Sequence, residues 1–287
     1  RLKTNVQENW LQIKNEVLRA NGQKSKVSCN ELRARVVKSF RNLIVHKIEV
    51  WAERNLSDTK LYPVSSVKDQ DYYKMSVYRM PGLDIMRWIP LSRNINVNGF
   101  YFGTDKLSHF ISTGFRYYEK YSKALKRGHT EEVALQKAIN YGIFLEVSVL
   151  GELGSGVFSF ADLEANYQGF LFINSFCDAG SDGYVHYDNG AWELVKDFDI
   201  TEYVNPYWDE TFNISHFSKR KWKAFRRHYK NNYCSNVNSD RVQDRLGYYQ
   251  NNSQKSISVR YIDDLAERNE RVPELESQSR SLLCDKM

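Results

Sequence analysis

Asp105 and His109 stand four residues apart, and so do Asp162 and Asn166. Residues at i and i+4 share one helix face, so each pair projects two polar groups in one direction. Between the pairs lies Glu146, inside Tyr141–Leu150, a run too apolar to solvate it. A carboxylate there must be paired, protonated or bound to a cation. A histidine with three carboxylates fits two chemistries. One is a mixed nitrogen and oxygen site for a divalent Zn, Mn or Fe ion, with Asp105, His109, Glu146 and Asp162 as ligands. The other is hydrolysis through Glu146, His109 and Asp162, in which Glu146 works as general acid or base with Asp162 or Glu152. Two carboxylates about 5–10 Å apart would suit glycoside hydrolysis. Lys106, Ser159 and Glu152 are polar neighbours in sequence and, with Asp105 and Asn166, candidate binding groups.

Each residue also has a plainer explanation. Asp105 can oppose a helix dipole. Asp162 follows Ser159 by three residues, close to a capping box. His109 can be a satisfied core histidine, and Lys106 can form a structural ion pair with Glu146. Capping cannot explain Glu146, which falls in mid-helix.

Three helices must position these groups, within a central unit over 103–176. The first starts at Thr104, an N-cap residue type, and ends before Gly128. The second opens at Thr130-Glu-Glu and runs to about Leu150. The third is capped by Ser159 and runs to about Phe176. Consecutive helices joined by short connections pack antiparallel. That arrangement carries Asp105, His109, Glu146 and Asp162 to one end of the bundle, with Asn166 at the edge. Gly114 and Gly142 are expected at close helix contacts.

Around this unit the pattern is looser. Residues 1–54 carry two amphipathic helices, and His46 is an ordinary residue on the second. Residues 55–101 read as irregular, with Ile95–Phe102 a short strand or an extended arm. Residues 178–215 are loop-rich. The helix over 218–233 has Trp222, Phe225 and Tyr229 on one stripe and cations elsewhere, which reads first as a solvated amphipathic helix and second as a membrane-surface or polyanion contact. Residues 235–287 form a polar C-terminal arm in which Ile257–Arg271 is a helix or an arm that packs back. The expected fold is mainly α: a helical single domain over 1–287 with a central three-helix unit and a loop-rich periphery.

Composition narrows the function classes. No apolar run reaches the roughly 18 residues of a spanning helix, so a soluble or peripheral chain is expected. A net charge of +6 favours anionic partners, and no nucleic-acid motif is present. The expected partner is a cell-envelope polymer or lipid headgroup, with peripheral membrane contact. The four cysteines form no Cys-x-x-Cys pair, which disfavours a zinc ribbon or a thioredoxin-type centre. At least one disulfide between distant segments is expected, involving Cys177 and Cys234 rather than the terminal cysteines.

Asp105-Lys-Leu-Ser-His-Phe110, Glu146, Gly154-Ser-Gly156 and Ser159-Phe-Ala-Asp-Leu163 together resemble uncharacterised bacterial periplasmic lipoproteins of the YfiM-like, domain-of-unknown-function type. A more distant likeness is to VanZ-like membrane proteins, whose D-x-x-x-N element Asp162 and Asn166 match. The chain departs from that second pattern in lacking membrane-spanning helices. The resemblance implies a periplasmic or cell-envelope setting, after removal of an export signal, and polar groups that act together. Two functions follow as expectations: an envelope hydrolase acting on peptidoglycan, glycan or lipid headgroups, or a non-catalytic envelope module whose polar network fixes helix packing.

Overall fold

The structure, a computed structural model, describes residues 13–23, 26–40, 47–55, 61–78, 91–148, 151–177, 183–270, 272 and 284. It is mainly α-helical. In chain order the helices are α1 over 13–21, α2 (Cys29–Phe40), α3 (Lys47–Asn55) and α4 (Asp69–Met75). Next, α5 consists of an opening turn Asp105–Ser108, a π-helical turn His109–Thr113 and a body Gly114–Leu125. Then come α6 (Glu131–Val147), α7 (Glu152–Ser155), α8 (Phe160–Ser175), α9 (Lys219–Asn232), α10 (Asp240–Asn251) and α11 (Ile257–Glu267). Short strands β1 (Leu61–Tyr62), β2 (Asn94–Val97) and β3 (Phe100–Gly103) form one antiparallel sheet. β4 (Val157–Phe158) pairs with β7 (His216–Phe217), and β5 (Val185–Asp188) with β6 (Ala191–Leu194).

The chain divides into two compact units, one from 1–56, 104–138 and 165–204, the other from 57–103, 139–164 and 205–287. Both α6 and α8 contribute residues to each unit. The first unit packs α2, α3 and α5 with the body of α8. Its core is aromatic: the Phe172 ring lies 4.6 Å from Phe198, 5.2 Å from Tyr184 and 5.6 Å from Phe110. Arg33, buried on α2, donates to the carbonyls of Ile173 and Asn174 at 2.8 and 2.7 Å, satisfying the C-terminus of α8. The Cys29–Cys177 disulfide joins the start of α2 to the residues following α8.

In the second unit buried Arg93 gathers the carbonyls of Pro63, Val64 and Val67 and the Asp69 carboxylate. Tyr249 of α10 is buried: its hydroxyl accepts the Tyr101 N–H and donates to Asp209 at 2.7 Å. Ser256 caps α11, whose Val259, Ile262 and Leu265 are buried. The Cys234–Cys284 disulfide closes this unit.

Several expectations need correcting. Ile95–Phe102 is a hairpin, because Asn98 and Gly99 both adopt positive φ (51° and 88°) and reverse the chain between β2 and β3. Asn189-Gly190 does the same between β5 and β6, within the stretch read as loop-rich. Within 235–287, Ile257–Glu267 is the helix that the sequence allows for, and α10 and α11 both belong to the second unit. The expected disulfides between distant segments are present. Cys177 and Cys234 do not pair with each other, and each takes a near-terminal partner, Cys29 and Cys284. Two such bonds point to an oxidising, extracytoplasmic environment. Among the described residues one segment, Glu131–Ser155, is long and apolar enough to cross a bilayer by length and composition, with 38% of its apolar window buried. The expectation that no run reaches that length is revised accordingly. His46 lies outside the described residues.

Candidate functional site

The site begins with the contact of α5 and α8. Gly114 and Gly169 let the two backbones touch: a Cβ on Gly114 would sit 2.6 Å from the Gly169 carbonyl carbon, and one on Gly169 only 1.8 Å from the Phe110 oxygen. Gly142 is buried within α6. Above the crossing, His109 meets Asn166. The pairings 109 with 166 and 114 with 169 advance in the same direction, so the helices run parallel and their N-termini open at the same end. Asp105 precedes His109 by one turn, and Asp162 precedes Asn166 by one turn. The ligand atoms of Asp105, His109 and Asp162 lie within 4.8 Å of one another.

Nδ1 of His109 and Oδ1 of Asn166 are 3.0 Å apart. An amide oxygen only accepts, so Nδ1 carries a proton, and in the neutral tautomer of that kind the lone pair is on Nε2. Metal-ligating histidines are oriented by this kind of second hydrogen bond. His109 also opens the π-helical turn, a local widening of the helix found frequently at functional sites.

The opening of α8 explains why Asp162 is available to this group. Ser159 caps the helix by accepting the Asp162 N–H at 3.2 Å. In a capping box the third helical residue would return the favour to the Ser159 N–H. Glu146 takes that donor instead, at 3.1 Å, and the Asp162 carboxylate lies with Asp105 and His109. The Ser159 hydroxyl donates to Glu210, which also accepts from Tyr78. Glu146 is therefore held at the N-terminus of α8, where the helix dipole favours its charge. It is not part of the close Asp105–His109–Asp162 group. Glu152, on α7, stands 3.9 Å from His216, whose pKa is lowered by burial against the opposing pull of Glu152.

Lys106 pairs with Asp105 at 2.8 Å and is only 1% exposed. A lysine that buried requires a carboxylate partner. Thr104 precedes α5 but does not cap it; its backbone is already helical and its hydroxyl donates to Glu53 at 2.8 Å. Ser108 likewise donates to Glu49.

Glu49 and Glu53 are the groups that the sequence reading missed. They stand four apart on α3 and aim at the start of α5. Burial, then repulsion from Asp105 and Glu53, push the Glu49 carboxyl up to about 8, with Lys106 pulling the other way. Glu49 is thus mainly protonated at neutral pH. The available signal was the pair of glutamates at helical spacing on a helix whose Ile48 and Ala52 are core residues. A further buried carboxylate, Glu164 of α8, is structural: Asn205 and Ser256 donate to its two oxygens at 2.8 and 2.7 Å.

No protein-family model, curated protein or solved structure matches the chain.

Proposed function

We propose that the chain is a metal-assisted hydrolase of the bacterial cell envelope, working in the periplasm on peptidoglycan, another glycan or a lipid headgroup. The observation that carries this reading is the approach of the Asp105, His109 and Asp162 ligand atoms to within 4.8 Å. One imidazole and two carboxylates suit Zn, Mn or Fe. A divalent ion held by three protein groups keeps a position for water, lowers its pKa and polarises the bond under attack. The chain's own residues supply the rest. Asn166 fixes the His109 tautomer. Lys106 orders the Asp105 carboxylate. Glu146 and Ser159 set the first turn of α8 and with it Asp162. With Glu49 protonated, Asp105 and Glu53 still outnumber Lys106 at the start of α5, a balance that a cation would relieve.

The test is digestion of purified sacculi and envelope glycolipids by the full chain, with and without added Zn or Mn, followed by His109→Ala and Asp162→Asn. Metal-dependent product release that both substitutions abolish is expected. Release that survives chelation and both substitutions, or no release from any envelope material, overturns the reading. A second reading, a non-catalytic module, is favoured by the hydrogen-bonded setting of Glu146. Glu146→Gln separates the two: large loss of thermal stability with no activity in the parent protein supports the module, whereas a folded variant with altered turnover supports the enzyme.

A further inference from the structure

The outer face of α9 has no place in the chemistry above. Its sequence, Lys-Arg-Lys-Trp-Lys-Ala-Phe-Arg-Arg-His-Tyr-Lys-Asn-Asn, contains no acidic residue. Lys221, Phe225 and Tyr229 turn inward, and the latter two form an aromatic cluster with Trp222, Val77 and the Cys234–Cys284 pair. Lys219, Arg220, Lys223, Arg226 and Arg227 are all exposed, and none makes an ion pair among the described residues. At 100° per residue these five fall within an arc of about 120°. They form a continuous cationic stripe.

Exposed apolar residues lie in a segment next to the first turn of the same helix. The segment around α7 packs against the first turn of α9: β4 pairs with β7, Ser218 donates to the Gly156 carbonyl at 2.9 Å, and a Cβ on Gly156 would lie 2.8 Å from Lys221 Cβ. In that segment Leu153 is 76% exposed. Its N–H bonds the Ser148 carbonyl, which sets it at the end of α6. There Phe144 and Val147, one turn apart, are 65% and 40% exposed. A soluble polyanion would use the cations and leave these side chains in water. An uncharged protein partner would cover them and leave the stripe uncompensated. An anionic bilayer satisfies both, because apolar side chains enter the interface while lysines and arginines meet the phosphates.

We infer that the second unit docks on an anionic lipid surface through the α9 stripe together with Leu153, Phe144 and Val147. The inference does not rest on the hydrolase reading, since none of these residues belongs to the Asp105–His109–Asp162 group. The test is co-flotation of the full, oxidised chain with phosphatidylcholine vesicles containing or lacking phosphatidylglycerol. Binding only to the anionic vesicles is expected, with release as salt is raised. Each cation near the surface contributes roughly fivefold, so Arg220→Gln/Lys223→Gln/Arg227→Gln should weaken binding about 100-fold. Phe144→Ser/Leu153→Ser should weaken it too, at unchanged charge. Failure to bind anionic vesicles, equal binding to neutral ones, or salt-insensitive binding overturns the proposal, and these need only the parent protein. Binding lost in the charge variant but untouched in the apolar variant overturns it as well, and identifies the stripe as a polyanion site.

Discussion

Replacing Glu49 by Gln probes the electrostatics of the α3–α5 contact. Burial and the neighbouring Asp105 and Glu53 raise the Glu49 pKa from 4.5 to about 8. Between those values the folded chain holds a proton that the unfolded chain has released. The contribution to stability is therefore complete below the unfolded pKa and is lost as pH rises through 8. A shift of about 3.5 units at about 1.4 kcal/mol each gives roughly 5 kcal/mol. Residual solvent access screens this, so about 3–5 kcal/mol is expected across the window. His216 acts in the opposite sense. Its lowered pKa makes stability rise with pH up to the unfolded histidine value, and it does so equally in both proteins. Tyr184 and Tyr249 have pKa values raised from 10.0, so they titrate only in strong alkali. Urea unfolding from about pH 5 to pH 9 then isolates Glu49 as the difference between the two curves. The parent protein should lose up to about 1.4 kcal/mol per pH unit more than the variant over that window. Parallel curves would refute the placement of a strained carboxyl beside Asp105.

Other consequences are local. Asn166→Ala removes the acceptor that fixes the His109 tautomer, and should weaken divalent metal binding about 10- to 100-fold by calorimetric titration while the fold persists. Gly169→Ala places a methyl 1.8 Å from the Phe110 oxygen, so the helices must part; thermal melting should show a loss of about 3 kcal/mol or more. Reducing the disulfides, which span 148 and 50 residues, should lower stability by about 4–5 kcal/mol each on chain-entropy grounds, measured by melting with and without reductant.

The central helices were legible in sequence because their punctuation is strong. Ser159 caps α8 as its type suggests, and the ends near Gly128 and Thr130 match the observed helix limits. The register of Asp105, His109, Asp162 and Asn166 was legible for the same reason, since helical spacing alone sets which residues share a face. What escaped was long-range. Glu49 and Glu53 lie more than 50 positions before their hydroxyl donors, and no local pattern links α3 to α5. The sequence offers Lys106 as a partner for Glu146 but does not single out the adjacent Asp105, which Lys106 meets at 2.8 Å. Gly169 was overlooked because a glycine inside an apolar helix carries no sign of which backbone it meets. The two Asn-Gly hairpins were missed although the dipeptide is a strong turn signal; their flanking strands are only four residues long.

Metal binding by the full chain is the decisive observation. After exhaustive chelation and dialysis, titration with Zn or Mn in a calorimeter, backed by elemental analysis, should give one ion per chain. Asp105→Asn, His109→Ala and Asp162→Asn should each weaken that binding by at least tenfold, with circular dichroism unchanged. No stoichiometric binding of any first-row divalent ion, or equal binding by the parent and all three variants, would contradict a metal centre at the head of α5 and α8.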